Sequence, residues 1–417
     1  MKYPDDWQLV RLDDCAEILM GQSPKGDTYN TNEEGIPLLN GPVEFGRRFP
    51  TAVQWTTSPT RIANSGDILF CVRGNTTGRM NVADQPYCIG RGLAAIRGKP
   101  AKAETAFVSC LLEFIKPRIY NIAVGGGSTF PNISRGSLLE FDVPKPPLAE
   151  QRRIAGVLSL VQRAIEEQER LIALTTELKT SLLHRLFTKG LRGEPQKQTE
   201  IGPLPQSWEV VTLEDAAVTF DYGTSVKCEH GKAGVPVLRI PNVVAGSIDL
   251  SDLKHGQPKR SELDQLLLQD GDLLFVRTNG VLENAGRCAL YRGELENCYF
   301  ASYLIRVRVD CSKVLPGFVN EYARAERGRG FLSGRAIRTA DGKFNINSGT
   351  LKRVMLPLPN LAEQTEIVDN LTLAERKLSL HDRKHAALTA LFRTLLHQLM
   401  TAQLRVYDLD LSEFGLT

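Results

Sequence analysis

The chain repeats itself, and a repeat constrains a fold more than composition does, because each copy must close the same kind of unit. Pro4-Asp-Asp-Trp7 followed by Val10-Arg-Leu12 returns as Pro205-Gln-Ser-Trp208 followed by Val211-Thr-Leu213, 201 residues later. Gly35-Ile-Pro-Leu-Leu39 matches Gly234-Val-Pro-Val-Leu238 at an offset of 199, and Ser65-Gly-Asp-Ile-Leu-Phe70 matches Asp270-Gly-Asp-Leu-Leu-Phe275 at one of 205. From Asn132-Ile133 against Asn345-Ile346 the offset becomes 213 and stays there, through Pro146-Pro-Leu-Ala-Glu-Gln151 against Pro359-Asn-Leu-Ala-Glu-Gln364 and Thr188-x-x-Leu-Arg192 against Thr401-x-x-Leu-Arg405. The chain is a tandem of one unit, each copy a variable globular part followed by a more uniform tail.

The globular parts read as β-rich with a few helices. Short β-branched or aromatic runs, Asp67 to Arg73, Leu93 to Arg97, Asp272 to Arg277 and Tyr303 to Val309, alternate with Gly, Pro and Asn punctuation. Length differences between copies fall in loops such as Gly41 to Thr60 against Ala245 to Gln269. The tails read as long helices that begin just after Pro147 and Pro359. Steps of 4 and 3 give Ile154, Leu158, Val161, Ile165, Gln168, Ile172, Thr175, Lys179, Leu182 and Leu186. The second copy gives Ile367, Leu371, Ala374, Leu378, His381, His385, Leu388, Phe392, Leu395 and Leu399. Both tails carry the same heptad seam, the signature of a coiled coil. At ~1.5 Å per residue each helix would run to nearly 60 Å, and its stripe needs a partner, of which its own repeat is the obvious one.

The fold class is therefore α+β: two repeated β-rich domains separated by two long helices in an antiparallel coiled coil, with pseudo-two-fold symmetry and a dumbbell outline. The expected boundaries are a first globular domain over 1–147, a spacer helix over 148–188, a linker over 189–206, a second globular domain over 207–358, a second spacer helix over 359–401 and a tail over 402–417. If Ile154 faces Leu399, Gln168 shares a layer with His385 and Ile172 with His381, a polar layer able to fix register.

Composition sets outer limits. The 417 residues are 42% hydrophobic and 24% charged, ordinary for a folded globular chain. No apolar run nears the ~18 residues of a spanning helix, and the N-terminus shows no apolar export signal, so no membrane span and a cytoplasmic location are expected. Lys and Arg number 51 against 48 Asp and Glu, a net +3 that by itself nominates no nucleic acid. The 8 cysteines contain no Cys-x-x-Cys pair, which points to reduced structural thiols and no zinc site.

Catalytic signatures are missing from the sequence. It holds no Gly-x-x-x-x-Gly-Lys-[Ser/Thr] loop, no Asn-Pro-Pro-aromatic or Asp-Pro-Pro-Tyr motif and no His-Glu-x-x-His. His381 and His385, spaced i, i+4, read as seam or flanking residues rather than metal ligands. Three features point elsewhere. Arg73, Asn75, Thr77 and Arg79 follow the Gly-Asp strand in one copy; Arg277, Asn279, Asn284 and Arg287 follow it in the other. Arg pairs bidentately with guanine and Asn with adenine, so these residues suit base readout in a groove, with a solvated loop as the plain alternative. Gly125-Gly-Gly-Ser-Thr-Phe-Pro-Asn-Ile133, with Ser128 and Thr129, aligns with Arg338-Thr-Ala-Asp-Gly-Lys-Phe-Asn-Ile346, with Arg338 and Lys343. Such loops let backbone amides approach phosphate, and a plain turn is the commoner reading. Arg324 to Arg338 holds five Arg, Arg335 among them, and one Glu, a basic stretch able to meet phosphates.

A duplicated variable domain closed by Asn-Ile, then Pro144-Lys-Pro-Pro-Leu-Ala-Glu-Gln-Arg-Arg-Ile154 or Pro357-Leu-Pro-Asn-Leu-Ala-Glu-Gln-Thr-Glu-Ile367 and a long helix, resembles the specificity subunits of type I restriction-modification systems. Leu186-Phe-Thr-Lys-Gly-Leu-Arg192 adds to the match, which covers essentially the whole chain; Asn360 departs from it by replacing the second proline. The resemblance implies two target-recognition domains that each read half of a bipartite double-stranded DNA site, and helices that set the spacing and dock two methyltransferase subunits. Those partners would carry S-adenosylmethionine and methylate adenine N6, and restriction subunits would add ATP- and Mg-dependent cleavage. The chain itself would be non-catalytic and bind no cofactor. Because the two domains differ in their loops, the site they read should not be a palindrome. Two other readings stand beside this one: a coiled-coil scaffold presenting two protein-binding modules, and a specificity subunit of a modification-only enzyme.

Overall fold

A computed structural model describes residues 3–125, 130–231 and 234–409. It is a mixed helix and sheet structure, and its two long helices, Leu148–Lys189 and Leu361–Met400, pack together. The chain divides into two compact units. The first joins residues 1–171 to 381–417, and the second is formed by 172–380.

Each unit is built on the same sheet. In the first, Ala16–Met20, Leu93–Gly98, Ile68–Cys71 and Met80–Val82 lie side by side, all antiparallel. In the second, Ala217–Tyr222, Leu304–Val309, Leu273–Val276 and Cys288–Leu290 take the same order. The repeated Gly-Asp opens the third strand, and its chemistry is plain. Gly66 and Gly271 hold φ of +88° and +93°, a conformation that strains any residue with a Cβ. The aspartate that follows is buried in both copies. Asp67 Oδ2 accepts the Asn64 N–H at 2.8 Å and pairs with Arg97; Asp272 Oδ2 accepts the Gln269 N–H at 2.9 Å and pairs with Arg308 through Oδ1. Turn and ion pair together lock strand entry.

A second sheet in each unit contains one parallel pair, Ile36–Leu39 with Tyr87–Ile89 and Val235–Leu238 with Tyr299–Phe300. The copies differ around it. The first unit builds five strands here and the second three. They differ again in the helix that follows: Thr105–Gly125 is continuous, whereas its counterpart is split into Pro316–Arg324 and Glu326–Gly334 by an extended Ala325.

The Pro-x-x-Trp and Leu-Ala-Glu-Gln repeats meet in space. Trp7 Nε1 donates to Glu150 at 2.8 Å, and Trp208 Nε1 donates to Glu363 at 3.2 Å. The neighbouring glutamine ties the start of each long helix to its globular domain. Gln151 accepts from the Glu104 N–H and donates to the carbonyls of Lys102 and Pro146; Gln364 accepts from the Leu315 N–H and donates to those of Lys313 and Pro359. All six side chains are buried, where each lost hydrogen bond matters most.

In each unit the start of one long helix packs on the end of the other, running the opposite way. Ile154 and Leu158 share a core with Leu396, Leu399 and Met400 in the first unit; Leu186 and Phe187 share one with Ile367 and Leu371 in the second. The polar layer is present, but its partners differ from the sequence expectation. Gln168 meets His381, with Nδ1 and Oε1 at 2.9 Å, and His385 faces Glu169 at 3.4 Å. Gln168 thus bonds the histidine one turn from the expected His385, while Glu169–His385 and Lys179–Glu375 lie within one residue of the expected register. Residues 189–206, read as a linker, instead carry a hairpin of Gln196–Thr199 and Gly202–Pro205.

Candidate nucleic-acid interface

The second unit gathers three separate sequence features at one place. Thr278–Asn279 pairs with Phe344–Asn345, which pairs in turn with Ile337–Arg338. The residues after the Gly-Asp strand, the aligned loop and the end of the basic stretch thus form one small sheet. Ile346 seals its base: the side chain is buried, and its N–H donates to the Arg277 carbonyl at 2.8 Å. Among the described residues the first unit repeats part of the link. Arg73 bridges Asn132, the Gly74 N–H donates to the Pro131 carbonyl, and the Ile133 N–H to the Val72 carbonyl.

The structure sorts the candidate residues. Arg73 and Asn75 are exposed at the tip of a turn that the Cys71–Arg79 backbone pair closes. Thr77 is buried and its hydroxyl donates to the Gly74 carbonyl at 2.7 Å, so it shapes the turn and does not face outward. Arg79 reaches the Phe45 carbonyl and lies over that ring. Ser128 and Thr129 lie outside the described residues.

In the second unit Arg277 donates to the Ser302 carbonyl and lies over the Tyr222 ring. Asn279 accepts the Val281 N–H, which orders the loop that begins there. Arg287 is committed to the carbonyls of Glu283 and Val244, a structural use that groove contact would break. Arg335 and Arg338 are exposed, the first over the Phe331 ring and the second without a partner among the described residues. Lys343 is exposed and pairs with Asp341 at 2.8 Å, which raises the Lys343 pKa and, with Thr339, holds the Asp341 carboxyl at about 2.

The basic stretch is less free than its composition implies. Arg324 pairs with Glu321 and Glu375, Arg327 donates to the Pro203 carbonyl, and Arg329 donates to the carbonyls of Glu283 and Ala285. Burial, with Arg287 nearby, also pulls the Arg329 pKa down. Only the two arginines nearest the small sheet remain turned outward. One aromatic belongs to this face that the residue types had not nominated: Tyr303 is 57% exposed, and its carbonyl accepts the Arg277 N–H. Gly92 holds the same position in the first unit, accepting from Val72, so aligning the repeats would have exposed the exchange.

The two units share one framework and display different polar faces. Residues 4–176 match the family model described as the type I restriction modification DNA specificity domain. Over 191 residues the chain is 37% identical to a Methanocaldococcus jannaschii protein described as the MjaX type I restriction enzyme specificity subunit; that match covers 45% of this chain and 44% of the relative, less than half of either. Over 380 residues it is 27% identical to the EcoKI specificity subunit of Escherichia coli K12, covering 88% and 82%. The crystal structure of a type I S subunit from M. genitalium shares the fold, with a TM-score of 0.63 at 17% identity over 96% of this chain and 98% of that one. Residues 4–176 thus carry a match to the type I specificity domain, and most of the chain is similar to specificity subunits of type I restriction-modification systems.

Proposed function

We propose that the chain is the sequence-reading, non-catalytic subunit of a DNA-modifying complex, and that it binds an asymmetric bipartite double-stranded site, one half per globular domain. The observation that carries this reading is the contrast between a repeated framework and unlike faces. Arg73 and Asn75 stand on a tight turn in one unit, and Asn279, Arg338 and Lys343 on a small sheet in the other. Two different heads need two different half-sites, so the full site is not a palindrome. Exposed arginines and amides are the side chains that read base edges, and Lys343 suits phosphate.

The long helices act in this reading as an antiparallel coiled-coil spacer with pseudo-two-fold symmetry. Gln168 and His381 support it, because the hydrogen-bonded pair is separated by 213 residues, the repeat offset itself. The helices would dock two methyltransferase subunits that bind S-adenosylmethionine and methylate adenine N6. Restriction subunits using ATP and Mg complete the assembly.

Single-molecule sequencing of methylated adenines in cells with and without this chain tests the proposal. The expected result is a bipartite, non-palindromic motif that disappears with the chain. A palindromic motif, or methylation indifferent to the chain, overturns it. Binding of the assembled complex should also weaken steeply with salt, as phosphate contacts release counterions; salt-independent binding would favour a protein scaffold.

A further inference from the structure

The hairpin over 337–345 is placed and built unlike the rest of its unit. Its two strands pair Ile337 with Asn345 and Arg338 with Phe344, and the turn is closed by the Thr339 N–H on the Lys343 carbonyl at 2.7 Å. Gly342 sits in that turn at φ +81°. The base of the hairpin is fixed, since Phe344–Asn345 also pairs with Thr278–Asn279. Its outer strand, paired on one edge only, is turned to solvent: Ile337 is 65% exposed, and Arg338 is exposed without a side-chain partner among the described residues.

The hairpin's own composition argues for what it meets. On its outer strand an exposed isoleucine stands next to an arginine whose five N–H donors have no partner among the described residues, so the strand offers apolar contact and hydrogen-bond donors side by side. A DNA major groove offers both acceptors and thymine methyl groups, and it is wide enough to admit a two-stranded ribbon. The three arginines earlier in the basic stretch are held by carbonyls or carboxylates of this unit, so the free charge is concentrated on the hairpin and just before it. Lys343 is held only by an exposed pair with Asp341, which a phosphate can replace at little cost.

Resting on the DNA reading above, we propose that the 337–345 hairpin is the groove-entering ribbon of the second domain, with Arg338 reading a base edge, Ile337 supplying apolar contact and Lys343 taking a phosphate. Arg338 is then a specificity determinant for one position of one half-site.

The test uses the full chain assembled with its modification subunits and a randomised duplex library, with Arg338→Ala and Lys343→Ala compared to the wild type. Arg338→Ala is expected to relax selection at a single base pair of one half-site by about 10–100-fold and to leave the other half-site unchanged. Lys343→Ala is expected to weaken all sequences alike and to lower the salt slope by about one. An Arg338→Ala variant that loses affinity equally for every sequence, or relaxes both half-sites, overturns the ribbon while leaving the DNA reading in place. A wild-type complex that selects no sequence overturns that reading, and the ribbon with it.

Discussion

The two units fasten the same tryptophan and the same glutamate in different ways. In the first, Glu150 is fully buried and meets Arg405 through both oxygens at 2.8 and 2.9 Å, while Arg405 also holds Asp6 and lies over the Trp7 ring. In the second, Glu363 takes the Leu191 N–H at 3.2 Å, and Arg192, the repeat counterpart of Arg405, is exposed. Gly190, at φ +64° and with the Trp208 ring, Pro205 and Glu363 all close to where a Cβ would stand, lets that backbone come near. One copy neutralises its buried carboxylate with a guanidinium, and the other solvates it with N–H groups. Equivalent motifs therefore need not be equivalent in energy.

Substituting the two arginines gives the sharpest break of that comparison. Arg405→Met leaves a buried carboxylate without its cation and is expected to destabilise the first unit by about 3–5 kcal/mol. Arg192→Met should change the second by under about 0.5 kcal/mol. Hydrogen exchange resolved by unit measures both, and equal losses would show that the clasp is not what separates the copies. Gln151→Ala and Gln364→Ala probe the feature the units share. Each glutamine makes the same three hydrogen bonds, so each loss should be about 2 kcal/mol, confined to its own unit. The seam gives a smaller effect. Replacing both Gln168 and His381 with Leu is expected to raise the melting temperature, since His381 Nε2 is buried without a partner among the described residues. A lower melting temperature would show that the layer contributes net stability.

The repeats made the framework legible. Pro-x-x-Trp, Gly-Asp, Asn-Ile and Leu-Ala-Glu-Gln each recur because each closes a contact that both copies need, and they located the strands and helix starts. Their contacts were not legible, because Trp7 and Glu150 lie 143 residues apart in sequence. The helix seam was readable from its period, and Glu169–His385 and Lys179–Glu375 lie within one residue of the register it implies; the partner of Gln168 was not readable, because His381 and His385 stand one turn apart on the same seam. Residue type alone overestimated the interface. Thr77, Arg287, Arg327 and Arg329 have the chemistry of DNA contacts, yet backbone carbonyls reach them first. The hairpin over 196–205 was missed because its strands are short and flanked by prolines, which reads as a linker.

The smallest expected effect is one of pH, and it too separates the copies. Glu321, on the helix Pro316–Arg324, occupies the place that Cys110 takes in the first unit, six residues beyond the backbone N–H that caps the glutamine in each copy. Burial pushes the Glu321 carboxyl above its ordinary pKa; Arg324 and Lys179 oppose this shift, and Glu375 adds to it. Glu375 behaves in the opposite sense: burial disfavours its charge, but Lys179 and Arg324 outweigh it and hold its pKa down. A carboxyl whose folded pKa is raised contributes stability below its ordinary pKa and loses it as pH rises through the folded value. Cys110, whose thiol is pushed up to about 12 by burial, stays neutral throughout this range and carries no such dependence. Glu321→Gln should therefore gain stability relative to the wild type as pH rises from about 4 to 7, with the gain confined to the second unit. Thermal melts across that interval, read by hydrogen exchange in each unit, would sink the assignment if the variant's advantage were constant or shrank with pH. In that case Arg324 would be holding Glu321 as a full ionic partner, and the cost of the buried charge would have to be sought at Glu375.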